Sequence, residues 1–164
     1  MDSIDKFNKL SKAEFISIFG NIFEKTEWIA EKCYESKPYN NLDELVSKMM
    51  KIFENSEKEK HLEILNSHPD LAVEKKLTKD SKNEQKNASL NQCNDAEFIE
   101  FKKLNEEYKK KFGFPFIIAV KGKNKEEILN SFRQRISNNI NLEFEEAKKQ
   151  VKKIASFRLN EIIK

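Results

Sequence analysis

Three places in this chain bring together residue types that can do chemistry. The first is Asn66-Ser67-His68-Pro69-Asp70-Leu71-Ala72. An imidazole is the side chain best suited to moving a proton near neutral pH. Pro69 restricts His68 to an extended backbone, so the ring is expected just past a helix end. The alternative is a turn histidine bonded only to backbone. His61 lies in a charged run with Lys58, Glu59 and Lys60 and is expected to be solvated.

The second is Asp80-Ser81-Lys82-Asn83-Glu84-Gln85. Ser81 and Glu84 have capping-box spacing, which explains both without any function. Against that stands the run from Lys82 to Asn87, which has no apolar residue to anchor the helix being capped. A carboxylate near a helix start is favoured as the anion, so Glu84 would accept hydrogen bonds before it served as an acid.

The third is Arg158. The steps Phe144, Ala147, Val151, Ile154, Arg158, Ile162 are those of one helix face, so a guanidinium occupies a core-facing register. A buried cation must be paired. Its partner is an internal carboxylate, an anionic ligand gripped by the guanidinium fork, or water reached by snorkelling. Arg158 stands out because only three of the 31 basic residues are arginines, the others being Arg133 and Arg135. Arg135 aligns with Ile128 and Phe132, which predicts an internal ion pair.

The elements that must position these groups read as helices. Ser11 and Glu14 form a capping box ahead of Phe15, Ile18, Phe19, Ile22 and Phe23, with Trp28, Ile29 and Cys33 continuing the pattern. Pro38 and Asn40-Asn41 mark a break. Leu42 to Phe53 gives a second helix, and Leu62 to Leu65 a third that stops near Pro69. Leu90 to Tyr108, Glu126 to Ile136 and Leu142 to Ile163 complete the set. The exception is Phe112-Gly113-Phe114-Pro115-Phe116-Ile117-Ile118-Ala119-Val120, a buried extended run with no strand to pair with. Its backbone groups need caps, water or a ligand. With no repeat and no low-complexity linker, residues 1–164 read as a single-domain all-α helical bundle.

Bulk properties exclude several classes. The net charge is +3 over 164 residues, with lysines and acids interleaved, unlike the dense basic footprint of a dedicated nucleic-acid binder. No run approaches 18 apolar residues, so no membrane span is expected. The first residues lack the pattern of a secretory signal, and Cys33 and Cys93 are isolated, so free thiols in a cytoplasmic protein are expected. Two cysteines and two scattered histidines give no metal-ligand pattern.

Taken in order, His68-Pro69-Asp70-Leu71-Ala72, Leu77-Thr78 with Ser81 and Glu84-Gln85, Phe112-Gly113-Phe114-Pro115-Phe116, and Ile154-Ala155 with Arg158-Leu159 resemble the OHCU decarboxylase family. OHCU is 2-oxo-4-hydroxy-4-carboxy-5-ureidoimidazoline, an intermediate between urate and allantoin. The resemblance runs from about Phe19 to Leu159. It implies an all-helical, cofactor-free, metal-free enzyme, often a homodimer, with the FGFPF segment lining the site. It also implies that His68 and Glu84 are catalytic and that Arg158 binds substrate with Ser81 in support. Pro69, Phe116, Ile117, Ile118 and Ala119 would line the pocket. The chain departs from the family pattern at Ser89, where relatives have Gly, and at Asn83, often Ser in relatives. The competing reading is a basic helical module for nucleic acid or protein. From Phe101 to Lys125 there are eight lysines and two glutamates, interleaved with Phe112, Phe114 and Phe116. Around an anion pocket the same lysines would concentrate substrate instead.

Overall fold

The computed structural model describes residues 3–72, 78–88, 90 and 93–163. They form nine helices: α1 Ser3–Asn8, α2 Lys12–Phe19, α3 Glu27–Glu35, α4 Leu42–Glu54, α5 Lys58–Ser67, α6 Lys79–Asn87, α7 Asp95–Phe112, α8 Lys125–Arg135 and α9 Ile140–Ile163. No strand occurs among the described residues. Leu77 and Ser89 lie outside them.

Local signals explain most boundaries. The expected capping box at Ser11 and Glu14 starts α2, and Asn94 with Glu97 and Asn124 with Glu127 start α7 and α8 the same way. The first predicted helix is in fact two. α2 stops at Gly20, where an added Cβ would lie 2.6 Å from the Ile16 carbonyl oxygen, and the chain turns through residues 21–26 before α3. α7 begins and ends later than the apolar pattern suggests, closing on Gly113 in the left-handed conformation at φ +81°. Phe112 therefore belongs to the helix, and the non-helical apolar run is Phe114–Val120, all of it buried.

The residues group into two compact units, one of Met1–Ile64 with Ile154–Lys164 and one of Leu65–Lys153. The core of the first is aromatic. Phe15 and Phe19 pack with ring centres 4.7 Å apart, Phe7 meets Phe19 edge-on at 5.3 Å, and Phe23 stacks on Phe53 at 4.8 Å. His61 belongs to this core rather than to solvent. It is buried, its Nε2 lies 2.6 Å from the Phe53 carbonyl oxygen, and its ring is 5.0 Å from that of Phe53. The charged neighbours in sequence mislead because they occupy the outer face of α5 while His61 turns inward.

In the second unit Tyr108 is the hub, with the rings of Phe112, Phe114, Phe116 and Phe132 all within 5.9 Å. Its hydroxyl donates to Glu143 at 2.6 Å, and Arg135 Nε donates to the same carboxylate at 2.9 Å. The predicted internal pair of Arg135 is thus Glu143, which has no exposed surface. Arg135 also donates to the Ile117 carbonyl at 2.6 Å, and the Ala119 amide donates to Gln150 at 3.0 Å. Side chains from α8 and α9 therefore supply hydrogen bonds to the extended run that no neighbouring strand provides. Arg133 makes a two-point surface pair with Glu100.

Candidate active site

The residues singled out for chemistry fall in both units, His68, Ser81 and Glu84 in the second and Arg158 in the first. In the second unit, α5 ends at Ser67 and the His68 amide donates back to the Leu65 carbonyl at 3.2 Å. His68 follows the helix end as Pro69 requires, and it is buried at 7% exposure. Three of the four residues after it are held by side chains of α6 and α7. Asp70 is buried and its carboxylate takes an ion pair from Lys109 at 2.6 Å. The Leu71 carbonyl accepts from Asn105 Nδ2 at 3.0 Å. Gln85 closes the turn with both ends of its amide: Nε2 donates to the Asp70 carbonyl at 3.1 Å, and Oε1 accepts from the Ala72 amide at 3.0 Å. Ala72 has φ +54°, an unfavourable backbone for a residue with a Cβ, kept by these contacts.

Gln85 also answers how α6 is anchored without apolar residues. Ser81 and Gln85 lie one turn apart on its buried face, with Glu84 beside them half-buried and Lys82, Asn83, Lys86 and Asn87 exposed. Polar pairing with the turn after His68 replaces hydrophobic anchoring. The capping-box explanation of Ser81 and Glu84 fails. The N-cap is Thr78, whose side chain accepts from the Ser81 amide at 3.2 Å, so Ser81 is already three residues into the helix. Capping therefore accounts for neither side chain.

Arg158 sits in the first unit. As its register requires, it is inward and buried, with 5% of its side chain exposed. The internal carboxylate that the sequence leaves open is Glu24: Arg158 Nη2 donates to Glu24 Oε2 at 2.8 Å, and Nη1 donates to the Asn21 carbonyl at 2.6 Å. Snorkelling is therefore excluded.

Sequence reasoning passes over Glu24, Asn105 and Lys109 as contributors. Asn105 carries the same signal as Arg158, a polar residue in an apolar register between Phe101, Leu104 and Tyr108. Glu24, an acid directly after Ile22-Phe23, carries a fainter one. No group of three or more His, Cys, Asp or Glu side chains that could hold a metal ion occurs among the described residues. No helix among them is long and apolar enough to cross a membrane.

Known proteins share both the sequence and the fold. The model of the family described as OHCU decarboxylase matches residues 8–160. The chain is 40% identical over 164 residues to the uric acid degradation bifunctional protein of a Bacillus species (strain TB-90), covering all of this chain and 33% of that protein. It therefore spans about a third of that relative's length. It is 36% identical over 159 residues to the 2-oxo-4-hydroxy-4-carboxy-5-ureidoimidazoline decarboxylase of Haloferax volcanii, covering 97% of this chain and 95% of the other. Among solved structures it is similar to a crystal structure of (S)-allantoin synthase, with TM-score 0.80 and 29% identity over all of this chain and 54% of that one. It is also similar to an OHCU decarboxylase crystallised in the presence of (S)-allantoin, with TM-score 0.73 and 25% identity over 88% of this chain and 96% of the other.

Proposed function

Since the chain belongs to the OHCU decarboxylase family, we propose that it converts OHCU to (S)-allantoin and carbon dioxide in urate degradation. Residues 1–164 act in this reading as one catalytic domain, cofactor-independent and metal-free, working in the cytoplasm as a homodimer on a small-molecule substrate, with no nucleic-acid or membrane partner.

The chemistry asks little of a cofactor. The bond to the substrate carboxylate breaks, carbon dioxide leaves, and the bonding pair is delocalised over the ring toward its imine-like position. The imine-like nitrogen that receives the pair takes a proton from water, the hydroxyl becomes a carbonyl as it gives up its proton, and a ring carbon gains one proton from a single face. What the protein must supply is orientation, charge placement and that proton. His68 manages the proton, either taking it from the hydroxyl or delivering it to the carbanion-like carbon. Glu84 accepts hydrogen bonds from ureido or ring N–H groups, with Ser81 in support. Arg158 anchors an anionic or carbonyl oxygen with its planar fork. Pro69 and the backbone of Phe116, Ile117, Ile118 and Ala119 line the pocket.

The observation that carries this reading is the fastening of the turn after His68. His68 is buried, and the turn that follows it is tied to Gln85, Asn105 and Lys109, so the backbone that carries the imidazole is fixed, as a proton-transfer group requires. The gripping of that turn by α6 also supports a shared role for His68, Ser81 and Glu84. The test is His68→Asn, assayed on freshly generated OHCU with folding followed by melting temperature. A folded variant should lose about 100-fold or more in turnover above the spontaneous background. Retention of near-normal turnover would remove His68 from the chemistry.

A further inference from the structure

The segment between α2 and α3 holds Glu24 in a way its packing alone does not require. Glu24 and Lys25 are consecutive non-glycine residues with left-handed backbones, φ +70° and +54°. Such a pair is costly and persists only when its surroundings over-determine it. Here they do. The Lys25 amide donates to Asn21 Oδ1 at 2.8 Å, the Phe23 amide to Thr26 Oγ1 at 3.3 Å, and the Thr26 amide to the Gly20 carbonyl at 2.9 Å. Phe23 is pinned by its stack on Phe53.

The product of this strained turn is one carboxylate with 1% exposure, 2.8 Å from the Arg158 guanidinium. The turn also supplies a second contact. The Asn21 carbonyl oxygen accepts both from Arg158 Nη1 at 2.6 Å and from the Glu24 amide at 3.2 Å. Two acceptors on one rigid turn therefore fix the plane of the guanidinium. A buried ion pair is a poor route to stability compared with apolar packing. A strained turn that builds one makes better sense as a device for orientation.

We propose that Glu24 is a positioning residue that, with the Asn21 carbonyl, sets the angle at which Arg158 meets the substrate. This rests on the reading of Arg158 as the substrate-binding cation. Glu24 also cancels much of the local charge, so Arg158 selects its ligand by the direction of its N–H groups more than by net attraction. Loss of the Glu24 charge alone should therefore disturb orientation while leaving, or improving, attraction for an anion.

The experiment is steady-state kinetics on freshly generated OHCU with Glu24→Gln, Glu24→Asp, Arg158→Lys and the Glu24→Gln/Arg158→Lys double variant, each with a melting temperature. Glu24→Gln should lower kcat about tenfold or more while KM moves by less than about threefold, and Glu24→Asp, which keeps the charge, should lie between it and the parent. In the Arg158→Lys background the Glu24→Gln effect should largely vanish, because the fork it positions is gone. If Glu24→Gln does not fold, the Glu24→Asp kinetics are read in its place. Variants that melt lower but keep parental kcat and KM, or that lose activity equally in both backgrounds, would overturn the proposal, as would failure of both single variants to fold. Full activity in Arg158→Lys would overturn the reading of Arg158 and this inference with it. Loss in Arg158→Lys with Glu24 variants unaffected would overturn this inference alone.

Discussion

Cys33 is wholly buried, and the Tyr39 hydroxyl donates to its carbonyl at 2.6 Å. Burial pushes its thiol up to about 12. The thiolate is the reactive form, so Cys33 should be inert to alkylation in the folded protein at pH 8, while the partly exposed Cys93 reacts slowly. Mass mapping after iodoacetamide treatment should find label on Cys93 and on Cys33 only after denaturation; early label on Cys33 would contradict its burial. The linked stability effect has a definite sign. In the unfolded chain the thiol ionises at its ordinary value near 8.5, whereas the folded one stays protonated, so its contribution is intact below that value. It is lost as pH rises from there toward about 12. Single residues also show where sequence speaks and where it is silent. Arg158 and Asn105 are legible as polar residues in apolar registers. The two histidines are not separable in this way. Both are buried, yet one is turned inward against Phe53 on the preceding helix, which its charged neighbours do not announce, and the other follows a helix end, which Pro69 does.

Elements are legible where a local code exists. Apolar periodicity locates α4, α8 and α9 to within a few residues and the capping box at Ser11 the start of α2, whereas α7 begins five residues and ends four residues later than its pattern. α6 resists such reading because its capping-box spacing is coincidental and its real anchor, the Gln85 amide on the backbone of Asp70 and Ala72, spans 13 and 15 residues of sequence. The break between α2 and α3 is hidden because the apolar pattern runs on through a turn whose cause is tertiary. The end of α7 gives an element-scale prediction. Gly113 has φ +81°, and a Cβ added to it would meet nothing within 4 Å, so the cost of a side chain there is conformational, not steric. Gly113→Ala should cost about 1 kcal/mol and lower the melting temperature by about 2–4 °C. Gly113→Asn, which tolerates the left-handed region better, should cost less. An unchanged melting temperature for the alanine variant would mean that the C-cap geometry is wrong.

At the scale of the whole molecule, a lysine-rich surface and a net charge of +3 say little about function by themselves. The eight lysines between Phe101 and Lys125 fit equally a nucleic-acid surface or the approach to an anion pocket. What decides between them is that the chain's scarce and buried polar residues are organised: His68 beside a turn fastened by α6 and α7, and Arg158 fixed by a strained turn. The family explains why such residues occur in this order, and the structure explains how each is held. Enzymatic turnover of OHCU is stereospecific, so a chiral assay of the product decides the matter. Freshly generated OHCU decays unaided to racemic allantoin, so the purified chain should accelerate its loss and deliver (S)-allantoin in clear excess. Racemic product at the spontaneous rate, from folded protein, would mean that the chain does not catalyse this reaction.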